Sequence, residues 1–75
     1  KTPETVIYEI FREVTRAVRQ FEAIKVMVMA SPQVVAKITE EESTAVAELE
    51  EFIKKEIRFQ ADDQYAQDQF DVVLS

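Results

Sequence analysis

Acidic side chains that could bind a metal ion are plentiful in this sequence, in which 15 of 75 residues are Asp or Glu. Asp62, Asp63 and Asp68 fall in the polar segment ADDQYAQDQ and offer the oxygen ligands that Ca²⁺ and Mg²⁺ bind. A calcium-binding loop of the EF-hand type, however, needs ligands at alternating positions, a glycine at its turn and a terminal glutamate. This segment lacks that pattern, and we therefore interpret it as a solvated loop.

Other residues with catalytic potential lack the partners that they would need. The run Glu40-Glu41-Glu42 is typical of helix capping, whereas a catalytic carboxyl pair requires two acids in one cleft. Ser31 and Ser43 have no imidazole to activate them, because the sequence contains neither His nor Cys. Since Gly is absent as well, a glycine-rich phosphate-binding loop is excluded. We interpret Ser31 as a helix cap.

A tyrosine and three arginines share one side of the first predicted helix: Tyr8, Arg12, Arg16 and Arg19. The three arginines fall within about 60° of one another on a helical wheel. Such a surface could bind RNA through its phosphates and bases. Alternatively, Glu9 and Glu13 lie at helix-neighbour spacing and would pair with the arginines on a solvated face. We favour the solvated face, since the net charge of −6 opposes RNA binding.

The helix that carries these residues is predicted by its start signal and its periodicity. Thr2-Pro3 is typical of a helix start, because Thr can cap and Pro suits the first helical position. We expect the helix to end at Arg19 or Gln20. Its apolar residues recur at helical spacing and form one arc: Val6, Ile7, Ile10, Phe11, Val14, Ala17, Val18 and Phe21.

A strand and two further helices follow. The segment from Ile24 to Met29 alternates and is apolar except for Lys25, which is typical of an inner strand covered on both faces. Ser31-Pro32 then predicts the start of a second helix. Thr39 to Glu42 matches a capping box and predicts a third helix that ends at Phe52 or Ile53. Its expected inward-facing residues are Ala45, Val46, Leu49, Phe52 and Ile53.

Two strands complete the predicted architecture. Ile57 to Gln60 forms a short strand, Ala61 to Gln69 the polar loop, and Phe70 to Leu74 the last strand. The order α-β-α-α-β-β predicts an α/β fold with three helices packed on a small three-stranded mixed sheet. The first two strands should be parallel, because helices connect them, and the last two antiparallel. We expect one small domain over residues 1–75, and the strand order stays open.

Four segments, in the same order along the chain, resemble the ribonuclease E/G family. The segment Tyr65 to Val73 resembles the end of that family's chains. The other three are Lys1 to Val6 with Tyr8-Glu9-Ile10 and Arg12-Glu13, Val28 to Pro32 with Val34-Val35-Ala36, and Glu41 to Ser43 with Ala47 to Glu50. The likeness covers nearly the whole sequence.

The resemblance implies that the chain is the small C-terminal domain of a longer, cytoplasmic endoribonuclease that acts on single-stranded RNA. The family's catalytic aspartates, magnesium site, RNA-binding S1 domain, 5′-end sensor and zinc-binding Cys-Pro-x-Cys link all precede the resembled segment. No catalytic, cofactor or metal residue therefore carries over, and Mg and Zn are expected in the parent protein only. The resemblance implies a role in subunit association, with RNA bound through the parent and no membrane contact.

Two packing arrangements decide where a subunit contact would lie. If the helices all cover one face of the sheet, Met27, Met29 and Val73 stay exposed on the other face and could contact a partner. If instead the first helix packs on the methionine side, that surface is closed. The sequence does not separate the two arrangements. Tyr8 on the first helix is a further candidate contact, and Phe70 is assigned either to the contact or to the core.

Overall fold

The computed structural model describes residues 2–75, so that Lys1, part of the first resembled segment, lies outside the described residues. The elements in chain order are α1 (Pro3–Gln20), β1 (Lys25–Ala30), α2 (Pro32–Glu41), α3 (Ser43–Ile53), β2 (Glu56–Ala61) and β3 (Phe70–Leu74). The predicted α/β class and the order α-β-α-α-β-β are confirmed.

Local signals at both ends explain the length of α1. The Thr2 hydroxyl accepts a hydrogen bond from the Thr5 N–H at 3.2 Å, and Pro3 occupies the first turn. At the other end Phe21 leaves the helical conformation, while its N–H still bonds to the Ala17 carbonyl at 3.0 Å. The predicted helix is therefore confirmed to within one residue at each end.

The sheet has β1 at its centre, in the order β2-β1-β3. β1 pairs with β2 in parallel and with β3 antiparallel, so that Val28 lies between Phe59 and Val72. The predicted parallel pairing is confirmed. The last two strands run in opposite directions as predicted, but they are not neighbours, because β1 separates them.

All three helices pack on one face of this sheet. The buried core joins side chains of α1 and α2 to alternate residues of β1 and to one residue of β2: Val6, Ile7, Ile10, Val14, Val26, Val28, Ala30, Val34, Ile38 and Ile57. Val46, Leu49 and Ile53 of α3 pack against the same cluster. No helix within residues 2–75 covers the opposite face, which carries Met27 and Met29. The expectation that β1 is covered on both faces is thus wrong for the described chain.

The boundary between α2 and α3 differs from the prediction. Thr39 does not cap a helix; it lies within α2, and its hydroxyl donates to the Val35 carbonyl at 2.9 Å. The helix continues to Glu41 because Ile38, at 1% exposure, is anchored in the core. α3 begins at Ser43, and Glu42 precedes it without a capping bond from its side chain.

Three large apolar side chains assigned to inner faces are exposed: Phe21, Ile24 and Phe52 at 60%, 80% and 66%. β1 starts at Lys25 rather than Ile24, so Ile24 lies before the strand. Phe52 points aside because Leu49 and Ile53 take the side of α3 that faces the core. Over residues 2–75, no helix has the length and apolar character needed to cross a membrane.

Candidate interaction surfaces

The acidic side chains of the β2–β3 loop serve its turns. An oxygen of Asp62 accepts the Gln64 N–H at 2.9 Å, which is an Asx-type turn. The Tyr65 hydroxyl donates to Asp71 at 2.6 Å, and this hydrogen bond raises the pKa of Tyr65 above its ordinary value. Throughout residues 2–75, no three or more His, Cys, Asp or Glu side chains are grouped to hold a metal ion. The side chains of residues 2–75 therefore do not offer a set of ligands that fits the magnesium or zinc ion of the resembled family.

The serines and the glutamate run have structural roles. Ser31 is buried at 3% exposure and its hydroxyl accepts the Val34 N–H at 3.3 Å, which confirms it as the cap of α2. Glu40 and Glu41 end α2 and Glu42 follows them, so the run does not form the first turn of α3 as predicted. Within α2, Glu41 accepts a hydrogen bond from Lys37 at 3.0 Å, and this bond raises the pKa of Lys37.

The structure brings the candidate RNA-binding residues together along α1. A shallow groove on the outer side of the helix is lined by Tyr8, Phe11, Arg12, Thr15, Arg16, Arg19 and Gln20. Tyr8 is 70% exposed, and the three arginines are exposed as well. Arg16 pairs with Glu13 at 3.6 Å, as the helical spacing predicts. Since both partners are largely exposed, this pair holds the guanidinium only weakly.

The opposite side of the molecule presents what we call the open sheet face. It carries the residues of β1 that point away from the helices, with their neighbours on both adjacent strands. In the sheet register Met27 lies between Arg58 and Val73, and Met29 lies between Gln60 and Asp71. Val73 is 45% exposed. Met27, Met29 and Val73 thus form the continuous centre of this face.

Polar groups surround the apolar centre of the open sheet face. Arg58 pairs with Glu56 through Nε at 2.9 Å along one margin. At one end Asp71 accepts the hydrogen bond from Tyr65, which holds the Tyr65 ring beside this face. An apolar centre with a polar, hydrogen-bonded margin is the pattern found where proteins contact partners.

Not all candidate contact residues lie together. Tyr8 is on α1, in the helix layer, whereas Met27, Met29 and Val73 lie on the far side of the sheet. Phe70 is half-buried and packs against the core. The sequence does not predict the exposure of Phe21, Ile24 and Phe52, because the apolar character of each residue favours a place in the core. Tertiary packing alone leaves these three side chains on the surface.

Comparisons with known proteins find relatives along nearly the whole chain. It is 45% identical over 74 residues to ribonuclease G of Salmonella typhimurium strain SL1344. It is 43% identical over 74 residues to ribonuclease G of Escherichia coli strain K12, and 43% identical over 75 residues to that of Haemophilus influenzae. Each match covers 99% of this chain but only 15% of the relative's length. No family model matches the chain.

Proposed function

The chain is related over nearly its whole length to one segment of ribonuclease G, and so to the ribonuclease E/G family, and from this relation we propose that it is a non-catalytic association domain. It would be the small C-terminal domain of a cytoplasmic endoribonuclease that acts on single-stranded RNA. The magnesium and zinc sites of such an enzyme would lie in its other parts. The proposed partners are a second copy of the chain or other domains of the same protein.

The observation that carries this proposal is the open sheet face. Parallel strands are usually covered on both faces, because βαβ connections place helices over them. Here the parallel pair β1/β2 has helices on one face, while Met27 and Met29 lie half-buried at the centre of the other. Covering them would remove apolar surface from water, worth about 25 cal/mol per Å² before the costs of association. The face therefore favours a partner.

The composition of the chain supports the non-catalytic part of the proposal. Within residues 2–75 the acids are spread over helix surfaces and turns rather than paired in a cleft. Hydrolysis of RNA needs a positioned metal ion or an activated water. Among residues 2–75 we find no set of side chains placed to hold either one. We expect the pure chain to leave 5′-monophosphorylated single-stranded RNA intact in the presence of Mg²⁺. Cleavage that co-purifies with the chain through nuclease controls would refute this.

Light scattering on matched variants tests which surface associates. Met29→Glu places a charge at the centre of the open sheet face, Tyr8→Glu places one in the groove of α1, and Ala47→Glu places one on an exposed side of α3 as control. At millimolar protein we expect Met29→Glu to lower the average mass and the other two to leave it unchanged. A loss with Tyr8→Glu alone would move the contact to α1, and a wild-type chain that stays monomeric would refute association.

A second candidate function is weak RNA binding by the groove of α1. The specific observation in its favour is that Tyr8 and the three arginines line one groove, where an aromatic ring and guanidinium groups could meet a base and its phosphates. The net charge of −6 opposes it.

Titration of labelled single-stranded RNA at physiological salt separates the two functions. We expect binding weaker than about 100 μM, because three arginines on an acidic chain release few counterions. The decisive variant is the double substitution Arg12→Ala and Arg16→Ala, with Arg58→Ala as a control for the loss of a positive charge elsewhere. Micromolar affinity that the double variant abolishes and the control retains would establish RNA binding as the function.

A further inference from the structure

The residues on one side of the groove of α1 follow the spacing of a coiled-coil seam. Along the chain they are separated by steps of three, four and three residues: Tyr8, Phe11, Thr15 and Val18. Such steps keep side chains on one stripe of a helix, which a second helix can contact. We call these four residues the α1 seam. It is distinct from the core face of the helix, which buries Ile10 and Val14.

The α1 seam offers apolar surface along its whole length. Tyr8 is 70% exposed, while Phe11 and Val18 are half-buried and pack in part against the core. The Thr15 hydroxyl donates to the Phe11 carbonyl at 2.9 Å, so the polar group of this side chain is already satisfied. Beyond Val18, a shallow pocket reaches Phe21, which is 60% exposed. From Tyr8 to Val18 the seam covers about 15 Å of helix, at 1.5 Å per residue.

Two exposed arginines border the α1 seam. Arg12 follows Phe11 and Arg19 follows Val18, so both occupy the position beside the seam where coiled coils carry the charges that select a partner. Arg16 lies further round the helix and has an ion pair within α1. Because facing charges of opposite sign favour one partner and those of like sign reject another, this border favours carboxylates.

Acidic side chains limit the extent of this basic border. Glu4 and Glu42 line a pocket at the Tyr8 end of the seam. Glu9 and Glu13 lie beyond the arginines, on the side of α1 next to β3. A partner on the seam would therefore meet negative charge at the Tyr8 end and positive charge along the rest of the seam.

We propose that the α1 seam binds an acidic amphipathic helix of a partner protein. Its apolar stripe would pack on the seam, with carboxylates facing Arg12 and Arg19 and a basic residue at the end next to Glu4 and Glu42. The inference is independent of the proposed association function, because α1 lies in the helix layer and the open sheet face lies on the far side of the sheet.

Charge favours this partner over RNA and over a second copy. RNA is negative at every nucleotide, so a strand that follows the seam would also bring phosphates to Glu4 and Glu42. A helix, in contrast, can change the sign of its side chains along its length. A second copy that used the same seam across a two-fold axis would bring the arginines of both copies to one border, where like charges repel.

Synthetic peptides test the proposal on the unmodified chain. Each has about 20 residues, enough to form a helix, with leucine at the seam positions. The matched peptides carry glutamate beside the seam and lysine at one end, N-terminal in one peptide and C-terminal in the other, because packing can be parallel or antiparallel. Their controls exchange glutamate and lysine.

Fluorescence anisotropy of the labelled peptides, with the chain titrated to millimolar concentration at physiological salt, measures the binding. We expect one matched peptide to bind more tightly than its control by about tenfold or more, because attractive pairs replace repulsive ones. Equal binding of each matched peptide and its control, or no binding of any peptide, would overturn the inference.

Matched variants locate the binding on the α1 seam. Arg12→Gln combined with Arg19→Gln removes both border charges, and Arg58→Gln removes an exposed charge on the opposite side of the molecule. We expect the double variant to bind the preferred peptide about tenfold more weakly and the control to bind it like the unmodified chain, with circular dichroism showing both folded. Tyr8→Ala should weaken binding by about fivefold or more, and Ile24→Ala, at an equally exposed apolar residue, should not. Unchanged affinity in the double variant would contradict the proposed recognition.

Two measurements identify the other occupants. Unlabelled single-stranded RNA competes with the labelled peptide, and we expect it to displace the peptide only at a higher concentration than the unlabelled peptide requires. Displacement at a lower concentration would make the groove an RNA site and overturn the inference. A lower average mass of Tyr8→Glu in light scattering would place a second copy on the seam and overturn it as well.

Discussion

Lys54 holds a backbone conformation that glycine adopts more readily. It ends α3 with φ 62° and ψ 34°, in the left-handed region, and its N–H bonds to the Glu50 carbonyl. The sequence contains no glycine at all, so a residue with a Cβ takes the position that helix ends commonly give to glycine. The conformation costs about 1 kcal/mol at such a residue.

We predict that Lys54→Gly raises the free energy of unfolding by about 0.5–1 kcal/mol, because relief of the strain exceeds the added entropy of the unfolded chain. The control is Lys55→Gly, one residue later. The φ angle of Lys55 is not positive, so this substitution relieves no strain and should lower the free energy of unfolding. Urea denaturation measures both. If Lys54→Gly destabilises the chain as much as Lys55→Gly does, the strain at this helix end is not significant.

Tyr65 gives the chain a titration in the alkaline range. Its pKa is raised above 10.0, first by the hydrogen bond to Asp71, then by desolvation and by the negative charge of Asp71. Because the pKa of Tyr65 is higher in the folded state than in the unfolded state, its interaction with Asp71 contributes fully to folding stability below the unfolded pKa. That contribution is lost as the pH rises through the folded pKa. Folding stability should therefore fall as Tyr65 ionises.

We predict that Asp71→Asn lowers the pKa of Tyr65 towards 10.0, because the charged acceptor of its proton is lost. Ultraviolet absorbance of the phenolate measures this directly in a Tyr8→Phe background, where Tyr65 is the remaining tyrosine. Asp68→Asn is the control, since that carboxylate does not contribute to the raised pKa. An unchanged midpoint in Asp71→Asn would show that the hydrogen bond does not persist in solution.

At the scale of elements, α3 is the least anchored helix. None of its residues is fully buried, whereas α1 buries Val6, Ile7, Ile10 and Val14. Its connection to the sheet includes the hydrogen bond from the Ile57 N–H to Glu50 at 2.8 Å. A charged acceptor on a half-buried backbone N–H should therefore contribute notably to the docking of this helix.

We predict that Glu50→Ala lowers the free energy of unfolding by about 1–2 kcal/mol, because the edge N–H of β2 loses its charged acceptor. Glu51→Ala, on the exposed side of the same helix, should change it by less than about 0.5 kcal/mol. Thermal and urea denaturation of the two variants provide the comparison. Equal effects would mean that the Glu50 contact adds no stability beyond helix propensity.

The elements also show what the sequence could and could not predict. α1 was predictable because its cap, its proline and its apolar arc are local signals that agree. The boundary between α2 and α3 was not predictable, because Thr39 can either cap a helix or donate a hydrogen bond to the preceding turn. The burial of Ile38 favours the second arrangement, in which α2 continues past Thr39. The Arg12–Arg16–Arg19 surface follows from helical periodicity alone. The open sheet face does not, since the choice of face covered by the helices is made by tertiary packing.

For the whole molecule, size and charge act in opposite directions. A chain of 75 residues builds only a small core, and burial against a partner adds to its stability. The net charge of −6 makes two copies repel each other, and salt screens that repulsion. Salt should therefore strengthen self-association and weaken any RNA binding, whose affinity falls as salt rises. The salt dependence thus separates the proposed function from its alternative.

Sedimentation equilibrium of the unmodified chain, from micromolar to millimolar protein at low and at high salt, tests the association claim most directly. The monomer mass is 8.7 kDa. We predict that the weight-average mass rises with concentration towards twice the monomer mass, and that it rises at lower concentration when the salt is high. A mass that stays at 8.7 kDa over the whole range at both salts would contradict the claim that this chain is an association domain.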